Sequence, residues 1–72
     1  EMNACFVVRG VDSNGGPWMT REVIWASCDS PEHRRYVELT ANKKAARMNK
    51  AGAKVEAQYQ ELVGDFWQDV QR

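Results

Sequence analysis

The sequence predicts a small α+β protein in which an N-terminal antiparallel β-hairpin is followed by one long C-terminal helix, a ββα arrangement. Three observations support this fold class: paired β-rich segments around a glycine turn, a helix-start signature, and a seven-residue apolar repeat behind it. At 72 residues the chain is short enough for one domain over residues 1–72. We expect the hairpin over residues 3–28 and the helix over residues 31–70.

The hairpin is predicted from two segments rich in β-branched and aromatic residues that flank an Asn-Gly-Gly sequence at residues 14–16. These turn residues readily adopt the positive φ angles that a tight hairpin needs. A turn centred on residues 15 and 16 pairs Phe6 with Trp25 and Val8 with Val23. Such aromatic and β-branched cross-strand pairs stabilise a two-stranded sheet.

The helix is predicted to begin at Ser30-Pro31-Glu32. A serine caps free backbone N–H groups, proline fits the first helical position, and an acidic residue suits the positive end of the helix dipole. Apolar or small residues then recur with a mean spacing of 3.5 residues, which is typical of a coiled coil. This apolar seam consists of Ala41, Ala45, Met48, Gly52, Val55, Tyr59, Leu62 and Phe66.

A continuous helix over residues 31–70 would be about 60 Å long, whereas the hairpin strands would span about 30 Å. The hairpin cannot cover such a helix, so the seam is expected to pair with a second copy of the chain in a homodimer. An alternative remains open, because Asn49 and Gly52 are helix-stop residues. A break near residues 49–52 would give a ββαα monomer.

Charge is segregated along a chain whose formal net charge is zero. Residues 34–54 hold seven Lys and Arg residues and a single carboxylate, and both flanking segments are acidic. On a helix, the cations opposite the apolar seam form one stripe: Lys43, Arg47, Lys50 and Lys54. Three interpretations of this stripe stay open: a solvated helix surface, a docking face for an acidic protein, and a contact with nucleic-acid phosphates.

Three tryptophans are present in 72 residues. Trp18 lies beside the hairpin turn and Trp67 lies at the end of the apolar seam. Because tryptophan is enriched at the energetic centres of interfaces, these two are candidate partner contacts, with core or dimer packing as the alternative.

Catalytic and metal-binding chemistry finds little support. Cys28 and His33 are close in sequence, but no orienting third group accompanies them. Cys5, Cys28, Asp29 and His33 lack the paired short intervals of a zinc finger. We therefore expect no enzyme activity, no metal site and no cofactor.

The compartment is predicted from what the sequence lacks. No apolar run is long enough to span a bilayer, and no basic-then-apolar signal segment is recognisable. Two cysteines are too few for a disulfide framework, which favours reduced thiols in the cytoplasm. A single Cys5–Cys28 disulfide is the alternative.

The function predicted first is a non-enzymatic interaction module, a small regulator, adaptor or inhibitor that binds another protein. The alternative is a nucleic-acid-binding regulator that uses the basic stripe, with DNA as a candidate ligand. A structural assembly subunit is a third candidate. No membrane association is expected.

Overall fold

The computed structural model describes residues 3–24 and 30–70. Its elements are, in chain order, β1 (Ala4–Val11), β2 (Pro17–Ile24), α1 (Pro31–Lys50), β3 (Lys54–Val63) and β4 (Phe66–Asp69). The strands form one antiparallel sheet in the order β2-β1-β3-β4. The predicted ββα fold with a C-terminal helix is wrong, because α1 lies between the second and third strands and two further strands follow it.

The first hairpin has a different register from the predicted one. Phe6 lies opposite Glu22 instead of Trp25, and Val8 lies opposite Thr20 instead of Val23. The connection is centred earlier than expected, because the Asp12 carboxylate accepts hydrogen bonds from the backbone N–H groups of residues 14 and 16, each at 2.9 Å. The shift amounts to three residues, an odd number, so it exchanges the two faces of the second strand.

The start of α1 is as predicted. Pro31 is the first helical residue, Ser30 is the N-cap, and the Ser30 hydroxyl accepts a hydrogen bond from the backbone N–H of His33 at 3.3 Å. Glu32 lies in the first turn, where a carboxylate is stabilised by the helix dipole.

The helix ends at Lys50, which is where the alternative prediction placed a break. Gly52 has a φ angle of +107°, a value that favours glycine, and it reverses the chain. The Asn49 side chain accepts from the backbone N–H of Val55 at 2.8 Å and donates to the carbonyl of Val55 at 2.9 Å. These bonds fix the first residues of β3 beside the helix end, so a strand follows and the ββαα alternative is wrong as well.

The predicted coiled coil is also wrong. Its seam divides among α1 (Ala41, Ala45, Met48), the following turn (Gly52), β3 (Val55, Tyr59, Leu62) and β4 (Phe66). Four of the eight, Ala41, Ala45, Val55 and Tyr59, are buried in the core of the protein itself. The homodimer inferred from the seam is untested, and the helical surface from which it was inferred does not exist.

The core lies between α1 and one face of the sheet. On β3 the apolar residues Val55, Ala57 and Tyr59 alternate with polar ones, so one row packs toward the helix. The rings of Phe6 and Tyr59 are 5.2 Å apart at an angle of 57°. Buried core residues are Ala4, Phe6, Val8, Val37, Ala41, Ala45, Ala53, Val55 and Tyr59. Within the described residues, no helix is long and apolar enough to cross a membrane.

The direction of the backbone groups follows from two hydrogen bonds at the strand ends. The N–H of Asp12 donates to the carbonyl of Gly16 at 2.8 Å, and the N–H of Leu62 donates to the carbonyl of Asn3 at 2.9 Å. Because bonded and non-bonded pairs alternate in an antiparallel sheet, even-numbered residues of β1 bond to β2 and odd-numbered ones bond to β3. The N–H and C=O groups of Met19, Arg21 and Val23 on β2 therefore point away from the sheet.

Candidate functional site

A groove runs between α1 and β2. Its lining residues are Trp18 from the strand and Thr40, Lys44, Arg47 and Met48 from the helix. Residues 40, 44, 47 and 48 share one side of α1 because they are three or four positions apart. The groove has a volume of about 540 Å³. It combines an aromatic ring, a thioether and two cations in one concave surface.

Trp18 separates this groove from a second pocket of about 840 Å³. The half-buried indole packs against the core, and the ammonium of Lys44 lies 5.5 Å from the ring centroid, a cation–π arrangement. The second pocket is lined on its other sides by residues that include the cations Arg9 and Lys54 and the carboxylate of Glu56. The predicted partner contact at Trp18 thus lies between two concave surfaces that both carry cations.

Gly10, which lies opposite Trp18, lets β1 and β3 approach closely at this end of the sheet. The two residues are directly opposite in the β1–β2 register, and Gly10 also pairs with Val55 of β3. Gly10 has a φ angle of +148°, and a Cβ there would meet the backbone carbonyl of Lys54 and lie 2.8 Å from the Cα of Val55. Only glycine lets β1 and β3 approach this closely.

The predicted basic stripe is split between two elements. Lys43, Arg47 and Lys50 are exposed on α1, whereas Lys54 is the exposed first residue of β3. Residues 39–55 contain five cations and no carboxylate. Arg47 and Lys50 lie in the last helical turn, where they also stabilise the negative end of the helix dipole.

The outer face of α1 changes character along its length. Tyr36 and Leu39 are exposed in its N-terminal half, with 69% and 52% of their surface accessible. Lys43 and Arg47 continue the same face toward the C-terminus at intervals of four residues. An apolar patch therefore leads into the basic surface and then into the groove beside Trp18.

The opposite face of the sheet carries a polar network that the sequence reasoning missed. Arg9 donates to both carboxylate oxygens of Asp69, at 3.0 and 2.6 Å. The amide of Gln60 donates to Asp69 at 2.8 Å, and its carbonyl oxygen accepts from Arg21 at 3.3 and 3.4 Å. The guanidinium of Arg21 lies 5.1 Å from the ring centroid of Trp67. The network connects all four strands.

Trp67, the second predicted partner contact, belongs to this network and not to the groove. It is half-buried on β4 and stacks with Arg21, on the face of the sheet that α1 does not cover. Trp18 packs with the core beneath α1. The structure therefore does not bring the two tryptophans together in one surface.

Two ionisable groups on this face of the sheet, Asp69 and Cys5, have pKa values that differ from their ordinary ones. Hydrogen bonds from Arg9 and Gln60 lower the pKa of Asp69 below its ordinary value. Burial raises the pKa of the Cys5 thiol, and the nearby Arg21 opposes this effect only in part. Cys5 is a free, fully buried cysteine within the described residues, so it is not poised as a nucleophile.

The predictions that involve Cys28 and Asp29 lie outside the described residues, as does the alternative Cys5–Cys28 disulfide. Among residues 3–24 and 30–70, no three His, Cys, Asp or Glu side chains are grouped closely enough to hold a metal ion. His33 lies in the first turn of α1.

No protein-family model, no curated protein and no solved structure matches this chain.

Proposed function

We propose that this chain is a non-enzymatic protein-binding module that holds an acidic segment of its partner in the groove between α1 and β2. The observation that carries this proposal is the groove itself. It places Trp18 and Met48 beside Lys44 and Arg47, within a stretch that contains no carboxylate. Both charged residues among the described lining of this groove are cations, and an aromatic anchor beside cations favours a partner with an apolar side chain flanked by carboxylates.

The first test is binding of a labelled ten-residue peptide of alternating valine and glutamate, measured by fluorescence anisotropy. Arg47→Glu reverses a charge that lines the groove, and we expect it to weaken binding at least about tenfold. Arg35→Glu is the matched control, because Arg35 is an exposed cation on the same helix that does not line the groove. Equal losses in both variants, or no binding by the unmodified protein, would contradict the proposal.

Nucleic-acid binding is the second candidate, and the exposed cations at residues 43, 47, 50 and 54 favour it. Phosphate contacts spread over such a surface predict an affinity that falls steeply as salt concentration rises. They also predict that Lys50→Glu weakens binding about as much as Arg47→Glu. The groove model instead predicts a much smaller effect of Lys50→Glu, because Lys50 does not line the groove.

The proposal also includes a compartment and an oligomeric state. A cytoplasmic location agrees with the free thiol of Cys5. Self-association stays a prediction, and among the described residues the outer edge of β2 offers unpaired backbone groups for it. Light scattering over a range of protein concentrations tests the oligomeric state.

A further inference from the structure

The groove contains Trp18, a residue of β2, which is an outer strand of the sheet. This strand has eight residues and pairs only with β1 among the described strands. Its outward backbone groups belong to Met19, Arg21 and Val23, as the alternation of hydrogen bonds requires. A strand edge with unpaired N–H and C=O groups is a template for an additional strand.

The surroundings of this edge suit a strand better than a helix. Side chains of an added strand would alternate between the two faces of the sheet. Those on the helix side would enter the groove lined by Trp18, Lys44 and Arg47. Those on the other side would meet Met19, whose side chain is 54% exposed, and Arg21.

The positive charge of the groove favours an acidic strand at the β2 edge. The cations that line the groove, together with Lys43, favour carboxylates on the helix-facing side of an incoming strand. A second copy of this chain fits less well, because pairing β2 with β2 about a two-fold axis places both basic helices on the same face of the joined sheet. Like charges beside such a junction oppose association.

We propose that an extended acidic segment of a partner protein adds to the β2 edge as a fifth strand, with its carboxylates in the groove beside Trp18. This inference rests on the proposed protein-binding function and specifies the conformation and chemistry of the partner. Backbone hydrogen bonds to residues 19 and 21 supply affinity, and the groove supplies specificity.

The peptide tests this inference through its backbone. One analogue carries N-methyl groups on its valines and another carries them on its glutamates. With the glutamates in the groove, an antiparallel strand directs its valine amides at β2, whereas a parallel strand directs its glutamate amides there. We expect one analogue to lose at least about tenfold in affinity and the other to bind like the parent peptide. Equal behaviour of the two analogues would overturn strand addition.

A substitution in β2 tests the same backbone hydrogen bonds by changing the protein instead of the peptide. Met19→Pro removes an N–H that points outward and leaves the bonds to β1 in place, so we expect the fold to be retained. We expect it to weaken peptide binding at least about tenfold, whereas Met19→Val, which keeps the N–H, stays within about threefold. If Met19→Pro does not fold, the methylated peptides still decide the question.

The outcomes separate the two proposals. Peptide binding that responds to Arg47→Glu but ignores both methylation and Met19→Pro keeps the groove function and overturns strand addition. No peptide binding at all overturns both. A dimer that Met19→Pro converts to a monomer, without peptide binding, would assign the edge to a second copy of the chain. Binding of a labelled oligonucleotide in place of the peptide would assign the surface to nucleic acid.

Discussion

The two edges of the sheet are built differently. The β4 edge has four residues, and its Asp69 side chain is bonded to Gln60 on the neighbouring strand β3 and to Arg9 on β1, one strand further. The β2 edge has eight residues, and its outward backbone groups, which no other described strand pairs, lie beside a groove. Short, charged edges discourage pairing with other chains, and long open ones invite it. This difference supports the proposal that the β2 edge, and not the β4 edge, binds a partner.

The largest expected loss of stability follows a substitution in β1, the strand that joins β2 to the rest of the sheet. Gly10→Ala would force a Cβ against the carbonyl of Lys54 in a backbone conformation that L-residues rarely adopt. We expect a loss of at least about 3 kcal/mol in the free energy of unfolding, measured by urea denaturation. Gly15→Ala is the control. It also has a positive φ angle, but no atom lies within 4 Å of its Cβ, so about 1 kcal/mol is expected. Similar losses in both variants would mean that the close approach at Gly10 is unimportant.

A smaller effect is expected where the closed edge is joined to the rest of the sheet. Gln60 is 5% exposed and bonds to both Arg21 and Asp69. Gln60→Ala removes both bonds and is expected to lower the free energy of unfolding by about 2 kcal/mol. Gln68→Ala, at an exposed position on β4, should change it by less than about 0.5 kcal/mol. If the Gln60 variant is equally mild, the network does not hold β4 in place.

The smallest effect concerns pH. Because the pKa of Asp69 is lower in the folded protein than in the unfolded chain, its contribution to stability is complete above the unfolded pKa of about 4. That contribution is lost as the pH falls through the lower folded value. We expect the Val70 amide, which donates to Tyr59 in β3, to exchange faster with solvent below about pH 4, relative to amides of β1.

Asp69→Asn is the control for the pH experiment, because it removes the titrating group. The relative exchange rate of the Val70 amide should then become independent of pH over the same interval. A pH response that survives in this variant would have to arise from other carboxylates.

The sequence predicted the first half of the fold better than the second. The Ser30-Pro31 helix start and the presence of a first hairpin are both found, because local signals determine them. The 3.5-residue spacing from residue 52 to residue 66 was coincidental. Residues 54–60 also alternate between polar and apolar types, which is the pattern of a strand, and Gly64-Asp65 offered a two-residue turn.

The sequence predicted individual residues of the candidate site but not that they lie together. Trp18 and Arg47 were recognised separately, one as an aromatic beside a turn and the other as part of a basic stripe. Their meeting in one groove depends on how α1 packs across the sheet, which local patterns do not encode. The network of Arg9, Gln60 and Asp69 could not be foreseen, because it requires β4, which had been interpreted as helix.

Amide hydrogen exchange, measured residue by residue with and without the acidic peptide, tests the open β2 edge most directly. In the free protein we expect the Met19 and Arg21 amides to exchange rapidly, while the Thr20 and Glu22 amides, which point to β1, are protected. Added peptide should then slow exchange at the outward-pointing amides, which include Met19 and Arg21, and leave the Thr20 and Glu22 amides unchanged. Protection of these two amides in the free protein, or no change when the peptide binds, would contradict the account.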